Sequence, residues 1–150
     1  MIPVSKPFIG DEEINAVVEV LKSGMIAQGP KTKEFEEMFA KFCNTKYAIA
    51  FSNGTTAIHA GVIASGFKDG DEAITIPFTF VATANPILME RGKITFVDIC
   101  EDDFCIDPEK VAEKITDKTK LIIPVDLYGQ IYKYQEIKKI IEGKDIKILE

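Results

Sequence analysis

No apolar run in the 150 residues approaches the ~20 that a membrane-spanning helix needs, and the amino terminus lacks a basic segment leading into an apolar one. A cytoplasmic protein without membrane contact is expected. Arginine occurs once, at Arg91, and the lysines are scattered along the chain. With 24 acidic against 18 basic residues the formal charge is −6, which argues against a nucleic-acid footprint or a polybasic membrane anchor. Cys43, Cys100 and Cys105 are odd in number and match neither a paired framework nor a metal-ligand spacing. They are expected to be reduced and structural, with no metal bound. Internal repeats, low-complexity tracts and linkers are missing, and so are the Gly-Lys-Ser/Thr of a Walker loop and the GxGxxG of dinucleotide binders.

What remains is the composition of a soluble globular domain, 46% hydrophobic and 28% charged, with enough chain to bury one core. Gly10-Asp11-Glu12-Glu13 reads as a helix start. Ile14, Val17, Val18 and Leu21 then follow the spacing of one buried face, and Gly24 ends the helix. A second helix from about Lys31 repeats the spacing with Phe35, Met38, Phe39 and Phe42. Beyond it, β-prone runs at 47–51, 73–76, 93–97, 120–125 and 146–149 alternate with helical patterns at 55–64, 79–90, 108–115 and 132–141. Asp107-Pro108 supplies an N-cap followed by proline at the first helical position. Five strands separated by four helices predict an α/β fold: right-handed crossovers and a three-layer, mostly parallel sheet covered on both faces. Residues 1–45 form an expected helical arm and 46–150 the alternating part. The last run stops at the tip of what reads as a central strand, so a fragment of a longer protein is expected.

Between the apolar runs ending at Phe51 and beginning at Ala57 stand Ser52-Asn53-Gly54-Thr55-Thr56. In open parallel sheets ligands sit beyond the carboxyl ends of the strands, where such turns lie. A helix starting near Thr55 would aim its first N–H groups and positive dipole end there, a ready phosphate site. Gly54 removes a side chain where an anion must approach, and the two threonines add hydroxyls. An ordinary N-cap by Ser52 or Asn53 explains the same residues equally well. The helix behind, 57–64, is apolar nearly all round and is expected to be buried.

Other strand ends carry further candidates. Phe78 and Phe80 straddle a helix start, where one could face a flat ring, although composition favours both as core. Asp98 and Asp126 end strands, where capping or turn formation is the commoner role. His59, the single histidine, is expected to make a hydrogen-bonded packing contact rather than to catalyse.

Together Gly24-Met25-Ile26-Ala27-Gln28-Gly29-Pro30, Ser52-Asn53-Gly54-Thr55-Thr56-Ala57, residues 77–83, Phe96-Val97-Asp98, Ile106-Asp107-Pro108 and Ile123-Pro124-Val125-Asp126-Leu127-Tyr128-Gly129-Gln130 resemble the DegT/DnrJ/EryC1/StrS family of aminotransferases that act on nucleotide-linked keto sugars. The matches stand in the family's order and spacing across nearly the whole chain. The resemblance implies the first part of the large domain of a fold-type I aminotransferase, with a small C-terminal domain beyond it. It implies pyridoxal 5'-phosphate as cofactor, its phosphate on Gly54, Thr55 and Thr56 and its ring stacked on Phe80. Gly24, Met25, Ile26 and Ala27 would line the sugar pocket. Nucleotide-sugar and amino-acid substrates, glutamate as donor, a homodimer and a role in polysaccharide synthesis follow as expectations.

Two departures stand out. The family often has His where this chain has Asp126. The family's pyridine-binding Asp and Schiff-base Lys fall after Glu150, and none of the 17 lysines here matches that motif, so no catalytic residue is named and the 150 residues alone are expected to be inactive. A sugar dehydratase of the same fold, with His for that Lys, and a non-catalytic phosphate-binding α/β domain remain open alternatives.

Overall fold

A computed structural model describes residues 2–3 and 5–150; Met1 and Val4, in the expected arm, lie outside the described residues. The chain divides into two units, residues 1–50 and 51–150.

The first unit holds two helices. Helix α1 (Asp11–Ser23) begins at Gly10, whose N–H donates to Glu13 Oε2 at 2.7 Å, and ends where Gly24 takes the left-handed conformation at φ 72°. That conformation is one glycine adopts without steric cost. Helix α2 (Pro30–Phe42) starts on proline, whose missing N–H costs nothing in a first turn. The faces expected to be buried are not. Val17, Leu21, Met38 and Phe42 are 59%, 62%, 65% and 88% exposed, and Ala40 is the one buried residue of the two helices. An amphipathic stripe states what a helix can bury, but cover has to come from another element.

The second unit is an α/β sandwich. Its helices are α3 (Gly54–Ala64), α4 (Asn85–Met89), α5 (Pro108–Lys114) and α6 (Tyr134–Ile140), and its strands β1 (Glu72–Thr75), β2 (Lys93–Phe96), β3 (Thr119–Ile122) and β4 (Lys147–Ile148). Within the sheet the described strands pair in parallel, in the order β2-β1-β3-β4. The ladders run past the strand ends, with Ile123 N–H donating to Ile74 O and Leu149 N–H to Ile122 O. Side-chain alternation sorts the core onto two faces. Ile74, Ile76 and Ile122 pack with Val111 of α5 and Ile137 of α6. Ala73, Leu121 and Ile123 pack with Val62 of α3 and Ile87 of α4. Helices cover both sides, giving the three layers the sequence predicts.

Three expectations change. Residues 47–51 form no strand: a strand exists through its ladder, and none of the described strands pairs with this segment. The helix expected over 79–90 breaks into a 3-10 turn (Val81–Thr83) and the short α4, because Pro86 lacks the N–H that a continuous helix needs and starts a new first turn instead. In α3 only Val62 is fully buried, and Ile63 is 54% exposed.

At the amino edge of the sheet Glu72, buried at the start of the central strand, accepts from Lys93 Nζ and Thr116 Oγ1, both at 2.8 Å. The Lys93 contact, then the Thr116 hydroxyl, hold its carboxyl below the ordinary value of 4.5. A carboxylate depressed in this way stabilises the fold above its ordinary value, and the contribution is lost as pH falls through the folded value. Denaturant melts of the wild type are therefore expected to weaken as pH drops below 4.5, and those of Glu72→Gln to show a shallower decline.

Candidate functional site

In the sheet order the chain leaves β1 by way of α4 on one face to reach β2, and then returns by way of α5 on the other face to reach β3. Connections therefore diverge between β1 and β3, the place beyond the carboxyl ends of the strands where open parallel sheets bind their ligands. Residues 76–80 leave β1 there and residues 123–130 leave β3. Buried Thr75 ties the two ends together, its hydroxyl donating to Ile123 O at 2.8 Å.

Helix α3 belongs to the same unit and packs against both the Val81–Thr83 turn and α4. His59 fixes this contact: its Nε2 lies 2.7 Å from Glu90 Oε1 at the end of α4. The sole histidine thus has the packing role expected of it.

Asn53 caps α3. Its Oδ1 accepts the Thr56 N–H at 2.9 Å, while the Thr56 hydroxyl donates to Asn53 O at 2.9 Å and lies 3.4 Å from Ser52 Oγ. Among the described residues the N–H groups of Gly54 and Thr55 and the Thr55 hydroxyl have no protein partner. A Cβ added to Gly54 would meet nothing within 4 Å. Capping and an open N-terminus coexist: a single carboxamide satisfies one of the first N–H groups and leaves two. These two donors stand without protein partners at the positive end of an 11-residue helix, a position of the kind that favours anions.

Phe80 precedes the Val81–Thr83 turn as its N-cap and is 74% exposed, against the core placement that composition favours. Phe78 is 47% exposed and packs edge-on against Phe104, ring centres 6.2 Å apart. Thr79 and Thr83 share a hydrogen bond between hydroxyls at 2.9 Å that closes the loop carrying both rings. Phe80 thus offers an exposed ring on a pinned loop, next to the turn against which α3 packs.

Both strand-end aspartates serve the backbone. Asp98 Oδ1 accepts the Ile99 N–H at 2.9 Å and Asp126 Oδ1 the Tyr132 N–H at 3.0 Å. The latter contact shapes the loop in which Tyr128 sits at φ 54°, 91% exposed. Tyr132 donates from its hydroxyl to Glu150 Oε1 at 2.6 Å. Burial first, then the Glu150 carboxylate, push the phenol far above its ordinary value, so it stays a donor. This tie between the segment leading into α6 and the residues after β4 has no local signal in the sequence, because 18 residues separate its partners.

Gly24, Met25, Ile26 and Ala27 lie in the first unit and are described there by themselves. Beyond the Gly24 cap, the Ser23 hydroxyl accepts the Met25 N–H at 3.1 Å, and Met25 and Ile26 are 54% and 71% exposed. With Gly29 and Pro30, residues 25–27 line a cavity of about 440 Å³ between the end of α1 and the start of α2.

Among the described residues no helix is long and apolar enough to cross a membrane.

Residues 7–150 match the model of the DegT/DnrJ/EryC1/StrS aminotransferase family. The spore coat polysaccharide biosynthesis protein SpsC of Bacillus subtilis is 39% identical over 149 residues, 99% of this chain and 38% of that protein. The 3-oxo-glucose-6-phosphate:glutamate aminotransferase of the same organism is 39% identical over 152 residues, 99% of this chain and 34% of the enzyme. Among solved structures, the E. coli GDP-4-keto-6-deoxy-D-mannose-3-dehydratase with bound hydrated PLP superposes with a TM-score of 0.91 at 36% identity, over 97% of this chain and 39% of that one. The chain thus spans between a third and two fifths of the length of these relatives.

Proposed function

Because the chain belongs to the DegT/DnrJ/EryC1/StrS aminotransferase family, we propose that the protein of which it is part is a pyridoxal-phosphate-dependent sugar aminotransferase. It moves an amino group from an amino acid, glutamate, to a nucleotide-linked keto sugar. A cytoplasmic homodimer and a role in polysaccharide synthesis complete the reading. Supporting it are a relative named as a glutamate aminotransferase on an oxo sugar and another named for polysaccharide synthesis.

One observation carries the cofactor assignment: among the described residues the first two N–H groups of α3 have no protein partner, and a Cβ added to Gly54 would meet no protein atom within 4 Å. That donor set fits a dianionic phosphate. Gly54 and Thr55 hold it through backbone N–H groups and the Thr55 hydroxyl adds a third donor. Thr56, whose own N–H and hydroxyl proton are engaged by Asn53, braces the turn and offers its hydroxyl oxygen. Phe80 stacks on the ring, and Asn53 and the His59–Glu90 contact keep α3 aimed at the site. When bound, the cofactor supplies the electron sink for amino-group exchange, and the chain supplies orientation and charge complementarity. In the first unit, Met25, Ile26 and Ala27 line a pocket for the sugar, and Gly24, outside that lining, turns the chain into it. Residues 1–45 act as an arm to the alternating part of a large cofactor-binding domain.

A second reading is favoured by the solved dehydratase, which matches the chain as well as the aminotransferases do. The two readings differ in product. Full-length protein given pyridoxal phosphate, glutamate and a nucleotide-linked keto sugar is expected to return an aminated sugar nucleotide, identified by mass, with one oxo acid per amine. A sugar that loses a hydroxyl and gains no nitrogen would replace the aminotransferase reading by the dehydratase one. The 150 residues alone are expected to show neither reaction.

A further inference from the structure

Residues 99 and 106 form an isolated antiparallel bridge on the way from β2 to α5. Its two flanking hydrogen bonds are Cys100 N–H to Cys105 O at 2.9 Å and Asp107 N–H to Asp98 O at 3.2 Å. Cys100 and Cys105 are therefore the next pair inward, facing one another across a four-residue loop. Phe104 N–H donates to Cys100 O at 3.0 Å and Phe104 takes φ 59°, the left-handed residue that lets so short a loop close. Cys100 thus bonds Cys105 through its N–H and Phe104 through its carbonyl, so Phe104 and Cys105 together oppose it in a bulge, a close antiparallel pairing with Cα atoms on the order of 5.5 Å apart. Disulfides span Cα separations of about 4.4–6.8 Å.

The sulfurs give an independent indication that they share a face. Cys105 Sγ lies 3.2 Å from Gln130 O, and Cys100 Sγ lies 3.5 Å from Lys133 Nζ. Both reach the same short segment after β3. Yet the two thiols are unlike. Cys105 is fully buried, while Cys100 is half-buried with an ammonium beside it.

From this register we infer that Cys100 and Cys105 are a redox-active pair, which closes into an intrachain disulfide when the protein meets a low-molecular-weight disulfide such as oxidised glutathione. Cys100 gives up its proton and attacks one sulfur of the oxidant, forming a mixed disulfide and releasing one thiol. Cys105 loses its proton and attacks Cys100 Sγ, forming the intrachain bond and releasing the second thiol. Two protein thiols are oxidised and one small disulfide is reduced to two thiols. Burial raises both thiols above their ordinary value, and the Lys133 ammonium opposes this at Cys100 alone. The attacking role therefore falls to Cys100 and the resolving role to Cys105.

The hairpin touches both loops at the switch point. Phe104 packs on Phe78 of the loop that carries Phe80, and Cys105 donates to Gln130 of the loop that carries Tyr128. Closing the disulfide removes the Cys105 donor from Gln130 and draws the hairpin strands together. Oxidation at this turn is thereby transmitted to the two loops at the switch point.

Trypsin leaves residues 94–110 as one peptide holding both cysteines, with no Lys or Arg between them. Full-length protein is incubated under native conditions with oxidised glutathione, quenched with iodoacetamide, digested and weighed. The expected product is the unalkylated 94–110 peptide lighter by two hydrogens, with exposed Cys43 left as a mixed disulfide or alkylated. Cys105→Ser is expected to stop at one glutathione on Cys100. The closing step, release of glutathione from Cys100 by Cys105, is expected to run at least tenfold faster in the folded protein than in denaturant. Two alkylated cysteines after prolonged exposure, a stable glutathione adduct on wild-type Cys100, or closure no faster in the folded state would overturn the inference.

Discussion

Replacing Gly54 by valine is expected to remove cofactor binding while leaving the fold intact. The structure separates these two outcomes. A Cβ at this position meets no protein atom within 4 Å, and φ lies outside the left-handed range that would strain a branched residue. Glycine in a helix is also a weak former, so valine there is neutral or mildly stabilising. Under the proposed phosphate site, the added isopropyl group stands beside the unpartnered Gly54 and Thr55 N–H groups and crowds the bound anion. Hydrogen bonds to a charged group are worth about 1.5–3 kcal/mol each. Losing about 3 kcal/mol across the pair corresponds to ~100-fold in affinity. Titrating pyridoxal phosphate against full-length wild type and Gly54→Val by absorbance measures this directly, with inorganic phosphate as a competing probe. Equal affinities at equal stability would remove α3 from the phosphate site; a variant that merely unfolded would contradict the open space at Gly54.

Gly92→Ala is expected to have the largest effect on stability of any glycine substitution in the second unit. Gly92 joins α4 to β2 and donates its N–H to Ile87 O at 2.9 Å. An added methyl would fall inside the ring edge of Phe67, against Cε1 and Cζ, and 3.1 Å from the Asp71 carbonyl oxygen. Phe67 is 6% exposed and locked in the core with Leu121 and Ile123, so the ring cannot swing away, and the carbonyl belongs to backbone leading into the central strand. Overpacking of this kind costs about 1–3 kcal/mol. Gly61→Ala is the informative contrast. There the methyl would stand 2.6 Å from Leu149 Cδ1, the end of a side chain that can change rotamer. Replacing a mid-helix glycine with alanine also returns about 1 kcal/mol of helix propensity. Urea melts are expected to show a lower midpoint at unchanged slope for Gly92→Ala and a midpoint near wild type for Gly61→Ala. Equal loss in both would mean that the Phe67 ring yields as readily as the Leu149 tip.

Local signals in the sequence determined the helix limits. Gly24 ends α1 in the left-handed conformation, Asp107 caps α5 through Glu109 N–H at 2.8 Å, and proline opens α2 and α5. The alternation of β-prone and helical stretches was enough for a parallel three-layer sheet, and the break at residues 52–56 for the start of α3. Each of these depends on dihedral preferences and on hydrogen bonds reaching no more than a few residues along the chain. Tertiary structure alone decided the rest. Residues 47–51 have strand composition and no ladder, since pairing requires a neighbour that composition does not name. Phe80 stands exposed while Ile87, a few residues on, is buried, because burial depends on which face of the sheet lies opposite. Asn53 selects Thr56 as its partner and so leaves Gly54 and Thr55 available to a ligand. Cys100 and Cys105 read as two unrelated cysteines until the bridge between Ile99 and Ile106 sets them across from one another. Contacts between residues distant in sequence, or fixed by the register of a neighbouring strand, leave no periodic trace in the chain, because they are set by packing rather than by backbone propensity.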